Sequence, residues 1–209
     1  MKILIADDHS IVREGVKQIL KSLPEVTHMD EASDGSEALL KINTGSYDLV
    51  ILDISMPVLS GLDILQIIGN RDNKTPILIL SSHSQEQYAI RAFKLGASGY
   101  VSKDSAFQEL VTAVRKIASG RKYVSTEFAE KLLFSDNSKG TENLHDALSE
   151  REFQVMIMLA KGLTVNEIAE KIFITYKTVS TYRSRVMEKM GLHKNADLTL
   201  YALKNNLIE

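Results

Sequence analysis

The chain has 209 residues, 44% of them hydrophobic and 25% charged, with a formal net charge of −2. That length fits one large or two modest domains, each able to bury its own core. The absence of cysteine excludes disulfides, thiolate metal sites and cysteine nucleophiles, and a charge so near zero does not by itself argue for nucleic acid.

Strand and helix signals alternate through the first 120 residues. Apolar runs at residues 3–6, 49–52, 77–80 and 100–101 have the continuous character of strands buried on both faces of a parallel sheet. Residues 26–31 read as a weaker edge strand. Amphipathic stretches at 11–21, 36–43, 62–68, 85–95 and 107–118 predict the intervening helices. Ser84 with Gln87 and Ser105 with Gln108 are spaced as capping boxes for the last two. Five such units predict an α/β fold, a doubly wound five-stranded parallel sheet, because an eight-stranded barrel needs about 250 residues.

The pattern changes at Gly120. Residues 125–134 predict one more helix, and 135–141 read Ser-Asp-Asn-Ser-Lys-Gly-Thr, polar and without a large apolar side chain, as an exposed linker does. The chain therefore divides into a first domain at 1–120, a linker at 121–146 and a second domain at 147–209. Beyond the linker every signal is helical: 150–161, 165–172, 176–190 and 195–206. Ser149 with Glu152 and Thr164 with Glu167 are capping boxes for the first two, and Gly162 and Gly191 are suitable helix stops. Residues 1–120 hold 12 basic and 15 acidic side chains and residues 148–209 hold 9 and 7, so the first domain is acidic and the second mildly basic.

In a parallel sheet the strand C-termini line one edge, where ligands bind. Here four strands end at Asp7 and Asp8, Asp53, Ser81 and, two places on, Lys103. Any one of these could be a solvated loop residue or a helix cap. Five at matching strand ends point to one crevice with three carboxylates, a hydroxyl and an ammonium. Carboxylates so placed suit magnesium, which takes one or two carboxylates with waters and phosphate oxygens. The cation offsets their repulsion and the charge of an incoming phosphoryl group. A carboxylate facing it can act as nucleophile and become an aspartyl phosphate.

At these residues the first domain resembles the receiver domain of bacterial two-component response regulators. Asp7-Asp8, Asp53 with Met56-Pro57 and Gly61, Ser81-Ser82 and Lys103 carry the resemblance, which covers essentially all of residues 1–120. It implies a flavodoxin-like fold with Asp53 as phosphoryl acceptor. Magnesium would be held by Asp8, Asp53 and the Ser55 backbone carbonyl, with Asp7 supporting its water shell. Ser81 and Lys103 would hold the phosphate and Tyr100 would be the switch aromatic. The chain departs from many members in having Ser81 for threonine and Asp104 for proline after Lys103.

In the second domain, a helical wheel from Val179 puts Tyr182, Val186 and Met190 on one buried stripe. Lys177, Ser180, Thr181, Ser184 and Glu188 point away, with Arg185 beside them, a short-chained and basic face suited to a DNA major groove. The preceding helix and a turn at Phe173-Ile174-Thr175, with Thr175 as cap, complete a helix-turn-helix in a small all-α four-helix domain. Leu148-Ser149-Glu150-Arg151-Glu152, residues 162–169 (GLTVNEIA), residues 178–183 (TVSTYR) and Met190-Gly191-Leu192 resemble the LuxR-type output domain. That resemblance implies DNA contacts from Asn166, Lys177, Thr178, Ser180, Thr181, Ser184 and Arg185. It also implies dimerisation through the last helix, at Ala196, Leu200 and Leu203, which on spacing alone could equally be core.

Together the halves resemble a NarL/FixJ-type response regulator. The expected partners are a sensor histidine kinase, double-stranded DNA and a second copy when phosphorylated, with RNA polymerase as a further candidate. A magnesium-dependent metabolic phosphotransferase or phosphatase is the competing class, but it wants an acid two residues after the nucleophile, where Ser55 stands. No apolar stretch approaches the roughly 18 residues of a membrane span, so a soluble protein of the bacterial cytoplasm is expected.

Overall fold

The computed structural model describes residues 1–69, 75–82, 86–125, 128–129, 143–205 and 207–208. It divides into two compact units, Met1–Asn137 and Ser138–Glu209. Five parallel strands, β1 (Lys2–Ala6), β2 (His28–Ala32), β3 (Leu49–Leu52), β4 (Ile77–Ser81) and β5 (Gly99–Ser102), alternate with α1 (Ser10–Leu20), α2 (Gly35–Thr44), α3 (Gly61–Gly69), α4 (Glu86–Lys94) and α5 (Ala106–Ala118). The sheet order is β2-β1-β3-β4-β5, the flavodoxin-like doubly wound arrangement. Its direction of winding reverses between β1 and β3, so the crevice expected for a ligand lies beyond Ala6 and Leu52, which are partners in register.

Both faces of the central strands are buried, as their unbroken apolar runs predict. Ile3, Ile5, Leu49, Ile51, Leu78 and Leu80 pack with Val16 and Leu20 of α1 and Leu110, Val114 and Ile117 of α5. The alternating residues Leu4, Val50, Leu52 and Ile79 are equally buried on the other face. Each such side chain contributes roughly 1.5–3 kcal/mol relative to exposure, which makes β1, β3 and β4 a stiff base for residues at their ends. Strand β2 begins two residues later than its sequence suggests, because Val26 donates its N–H to Leu23 in a turn.

The two helix starts read as capping boxes in the first half have different outcomes. The Ser84 position lies outside the described residues. Ser105 forms no side-chain cap, since its backbone is in the helical region rather than extended, and its hydroxyl turns back to donate to the Ser102 carbonyl. Asp34 does cap α2, accepting from the N–H groups of Ser36 and Glu37. Packing of the first unit also continues past residue 120. Tyr123 is buried, bridges to Gly99 at the β5 edge and donates its hydroxyl to Glu109 at 2.7 Å. The helix expected at 125–134 lies, apart from residues 125, 128 and 129, outside the described residues.

The second unit has a 3-10 turn at Leu144–Ala147 followed by α6 (Glu150–Ala160), α7 (Val165–Lys171), α8 (Tyr176–Met190) and α9 (Asn195–Lys204). Helix α6 packs on α8 and α9, and α7 on α8, around Phe153, Met156, Ile168, Val179, Val186 and Leu198. Both capping boxes form, and Gly162 and Gly191 end helices in left-handed backbone.

Glu152 does more than cap. Its side chain is 3% exposed and accepts from the Ser149 N–H at 2.8 Å and from the Lys189 ammonium, on α8, at 2.6 Å. Burial raises its pKa, but Lys189 and the Ser149 N–H outweigh this and hold it below the usual glutamate range. A depressed carboxylate contributes stability above its unfolded pKa of about 4.3 that is lost as pH falls through the folded value. Glu152→Ala should therefore destabilise the second unit by about 2–3 kcal/mol at neutral pH. Denaturant melts should show that difference shrinking below about pH 4; a constant difference would refute the ion-pair account.

Candidate functional site

Asp7 and Asp8 follow β1 and Asp53 follows β3, so the two central strands deliver all three carboxylates to one place. Ligand atoms of Asp7, Asp8, His9 and Asp53 lie within 4.8 Å of one another. Lys103 reaches them from the loop after β5: its ammonium is 2.7 Å from Asp7 Oδ2 and 2.9 Å from Asp53 Oδ2. Its backbone N–H donates to the Ser81 carbonyl at 2.8 Å, which ties that loop to the end of β4. The structure thus brings Asp7, Asp8, Asp53 and Lys103 together, with Ser81, wholly buried, at the adjoining strand end. Tyr100 is half-buried on β5, opposite Ile79 of β4, and Ser55 is half-buried two places after Asp53. The Lys103–Asp104 peptide is trans.

Asp7 and Asp53 are each 2% exposed. Burial pushes the Asp53 carboxyl above the usual aspartate range; Lys103 pulls it down and Asp7 adds to the rise, leaving it raised. Lys103 is also destabilised by burial, but Asp53 and Asp7 outweigh that and raise its pKa, so it is a fixed cation. The Asp53 carboxylate also accepts from the Ser55 backbone N–H, yet Asp7 and Asp53 share one ammonium, with the Asp8 carboxylate beside them. Buried negative charge in excess of its cations is costly unless another cation meets it. The residues therefore fit a hard divalent cation such as magnesium: oxygen donors and excess negative charge.

Two neighbours had no signal in the sequence. His9 Nδ1 lies 2.7 Å from Asp8 Oδ1, and the His9 N–H donates to Asp7 Oδ1 at 2.9 Å. Arg13 on α1 donates to the Asp7 backbone carbonyl at 2.7 Å and to Glu31 at 2.9 Å, pinning the loop that carries Asp7 and Asp8. An arginine six places along reveals its target only once α1 is folded back on the strand end. Gly61, at the start of α3, leaves no room for a side chain: a Cβ there would stand 2.3 Å from the Asp53 carbonyl oxygen.

In the second unit α7, the turn and α8 form the helix-turn-helix. Thr175 caps α8, accepting from the Thr178 N–H. Val179, Val186 and Met190 are buried while Tyr182 is only half-buried. Asn166, Lys177, Thr181, Ser184 and Arg185 are exposed, and Thr178 and Ser180 half-exposed. The hydroxyls of Thr181 and Ser184 donate to helix carbonyls one turn back, which leaves their lone pairs outward. Arg183 bonds Asn195 at the start of α9 instead. Ala196, Leu200 and Leu203 are exposed along one side of α9, Leu200 at 69% and Leu203 at 47%.

Residues 3–115 match the family of response regulator receiver domains, and residues 146–202 match the luxR family of bacterial regulatory proteins. The chain is 35% identical to the response regulator UvrY of Escherichia coli strain K12, over 99% of this chain and 95% of that one. It is 36% identical to the oxygen regulatory protein NreC of Staphylococcus aureus strain MRSA252, over the whole of both. Among solved structures it resembles RcsB of Salmonella enterica serovar Typhimurium bound to a promoter with the phosphomimetic BeF3−, at 25% identity and TM-score 0.60, covering 96% of this chain and 97% of that one. RcsB dimers on two parallel DNAs give a TM-score of 0.61 at 25% identity, covering 97% and 98%. Among the described residues no helix is long and apolar enough to cross a membrane. Receiver and helix-turn-helix on one chain make it a transcription regulator and not a metabolic enzyme, and the chain belongs to the DNA-binding two-component response regulators of the NarL/FixJ type.

Proposed function

We propose that this response regulator takes a phosphoryl group on Asp53 from the phosphohistidine of a sensor kinase and binds its operators more tightly as a result. The observation that carries the reading is the buried Asp53 carboxylate held between Lys103 and the Asp7-Asp8 pair. An Asp53 Oδ attacks phosphorus, the O–P bond forms as the N–P bond breaks, and the electron pair leaves on the imidazole nitrogen, which takes a proton. Lys103 balances charge on the phosphoryl oxygens and Ser81 donates a hydrogen bond to one of them. Asp8, Asp53 and the Ser55 carbonyl would hold magnesium, with Asp7 supporting its waters; when bound it neutralises the charge shared by carboxylate and phosphoryl group.

The phosphoryl group then stabilises the receiver conformation in which Ser81 and Tyr100 have moved toward it. A few kcal/mol of differential stabilisation suffices to invert such an equilibrium. The shift favours a homodimer that uses Ala196, Leu200 and Leu203. It places two copies of the Lys177–Arg185 face, with Asn166 beside each on phosphates, on half-sites about one helical turn apart. An exposed apolar row on α9 supports this, as do the RcsB dimers seen on DNA. We assign the receiver to residues 1–120, the linker to 121–146 and the output domain to 147–209, in the bacterial cytoplasm. RNA polymerase is the further partner of such a regulator.

Incubation with magnesium and a small acyl phosphate should label Asp53 and tighten binding to a duplex enriched by the wild-type chain from a random pool. In Asp53→Asn the label should vanish and the tightening should fall at least about tenfold, a loss of about 1.4 kcal/mol in coupling. Equal tightening in the variant would refute the mechanism.

A further inference from the structure

Phe173, in the turn between α7 and α8, is 93% exposed and its φ is +53°. Each property is unfavourable for this residue. A left-handed backbone is strained for a bulky side chain, and the position after a helix end is one where glycine or asparagine is preferred. An aromatic ring in water contributes nothing to the core. The geometry is nonetheless fixed on both sides: the Phe173 N–H donates to Glu170, the Ile174 N–H to Ala169, and Thr175 caps the next helix. Folding alone would favour glycine here. A strained, exposed aromatic held by well-formed neighbours is a candidate for contact with a partner, and its place decides which.

Its place in the fold says what. Phe173 stands two residues before the cap of α8, whose N-terminal turn carries Lys177 and Thr178, and in a helix-turn-helix that end of the second helix points at base edges. A side chain there lies at the wall of the groove, where the apolar surfaces are deoxyribose and the thymine methyl. Tyr176, 58% exposed in the first turn of α8, is beside it in sequence. We infer that Phe173 is a DNA-contacting residue that packs its ring on sugar and thymine methyl at the groove edge, adding an apolar, salt-insensitive share of affinity and a preference for thymine at one position. This rests on α8 being the DNA-reading helix, as proposed above.

The test uses the full-length chain and a duplex enriched from a random-sequence pool by the wild type. Phe173→Gly should melt at the same temperature as wild type or higher, because it relieves the backbone, yet bind about tenfold more weakly. The slope of affinity against salt should stay unchanged, since no phosphate contact is lost, whereas Lys177→Ala should reduce it by about one. Phe173→Tyr, which keeps the ring, should bind within about twofold of wild type. Wild-type affinity in Phe173→Gly, with Lys177→Ala impaired, would overturn the inference and leave the DNA-reading helix standing. So would a Phe173→Gly defect confined to self-association in sedimentation without DNA. Normal binding by both variants would sink the helix assignment itself.

Discussion

Lys103→Met should cost the N-terminal unit about 3 kcal/mol of stability at neutral pH, among the largest effects of any single substitution in that unit. The Lys103 side chain is 13% exposed and touches Asp7 and Asp53, themselves at 3% and 2%. Removing one partner of a buried ion cluster leaves uncompensated charge, which costs far more than the intact cluster contributes. Methionine keeps most of the volume, so a packing defect does not confound the measurement.

The pH dependence follows from Asp53. Its folded pKa is raised, mainly by burial and against the pull of Lys103. A group of this kind contributes stability that is full below its unfolded pKa of about 3.9 and lost as pH rises through the folded value. Without Lys103 the folded value moves further up, and the loss spreads over a wider range. The deficit of the variant should thus be small in acid and grow toward neutrality. Added magnesium should restore part of it, because the carboxylates then gain another cation. Equal denaturation midpoints for wild type and variant at neutral pH would show that Lys103 does not hold this cluster together.

What the sequence made legible here was whatever depends on strand ends. Continuous apolar runs identify buried parallel strands, parallel strands share a C-terminal edge, and that edge gathers Asp7, Asp8, Asp53 and Lys103 from positions 7 to 103 of the sequence. The helix-turn-helix was legible for a similar reason, since capping boxes at Ser149 and Thr164 and the Val179 stripe are local patterns. Features that need one element to reach another were not. Arg13 on α1 finds the Asp7 carbonyl, and Glu152 pairs with Lys189 thirty-seven residues on. Ser105 had the spacing of a cap without the extended backbone that capping requires. Phe173 is legible as a turn residue, but its left-handed backbone is not, because that conformation is expected of glycine or asparagine.

Gly61 shows how a residue with no chemistry of its own can govern the site. Its backbone is not left-handed, so conformation does not demand glycine, and alanine at a helix start would ordinarily be tolerated or favoured. What forbids it is contact. A Cβ would come within 2.3 Å of the Asp53 carbonyl oxygen and 3.0 Å of its carbon. These are backbone atoms at the end of a central strand and cannot rotate away. The Gly61 N–H also donates to the Ile54 carbonyl at 2.9 Å, which holds the two segments at that distance. Gly61→Ala should therefore destabilise the unit by about 2–3 kcal/mol. It should also slow labelling of Asp53 by a small acyl phosphate at least about tenfold under conditions where the variant stays folded, because the carboxylate shifts with its backbone. Gly15→Ala is the control: it lies in α1 with nothing within 4 Å of the new methyl, and should stabilise by about 0.5–1 kcal/mol. If Gly61→Ala melts and labels like wild type while Gly15→Ala gains its increment, the close approach of α3 to Asp53 does not set the position of the acceptor.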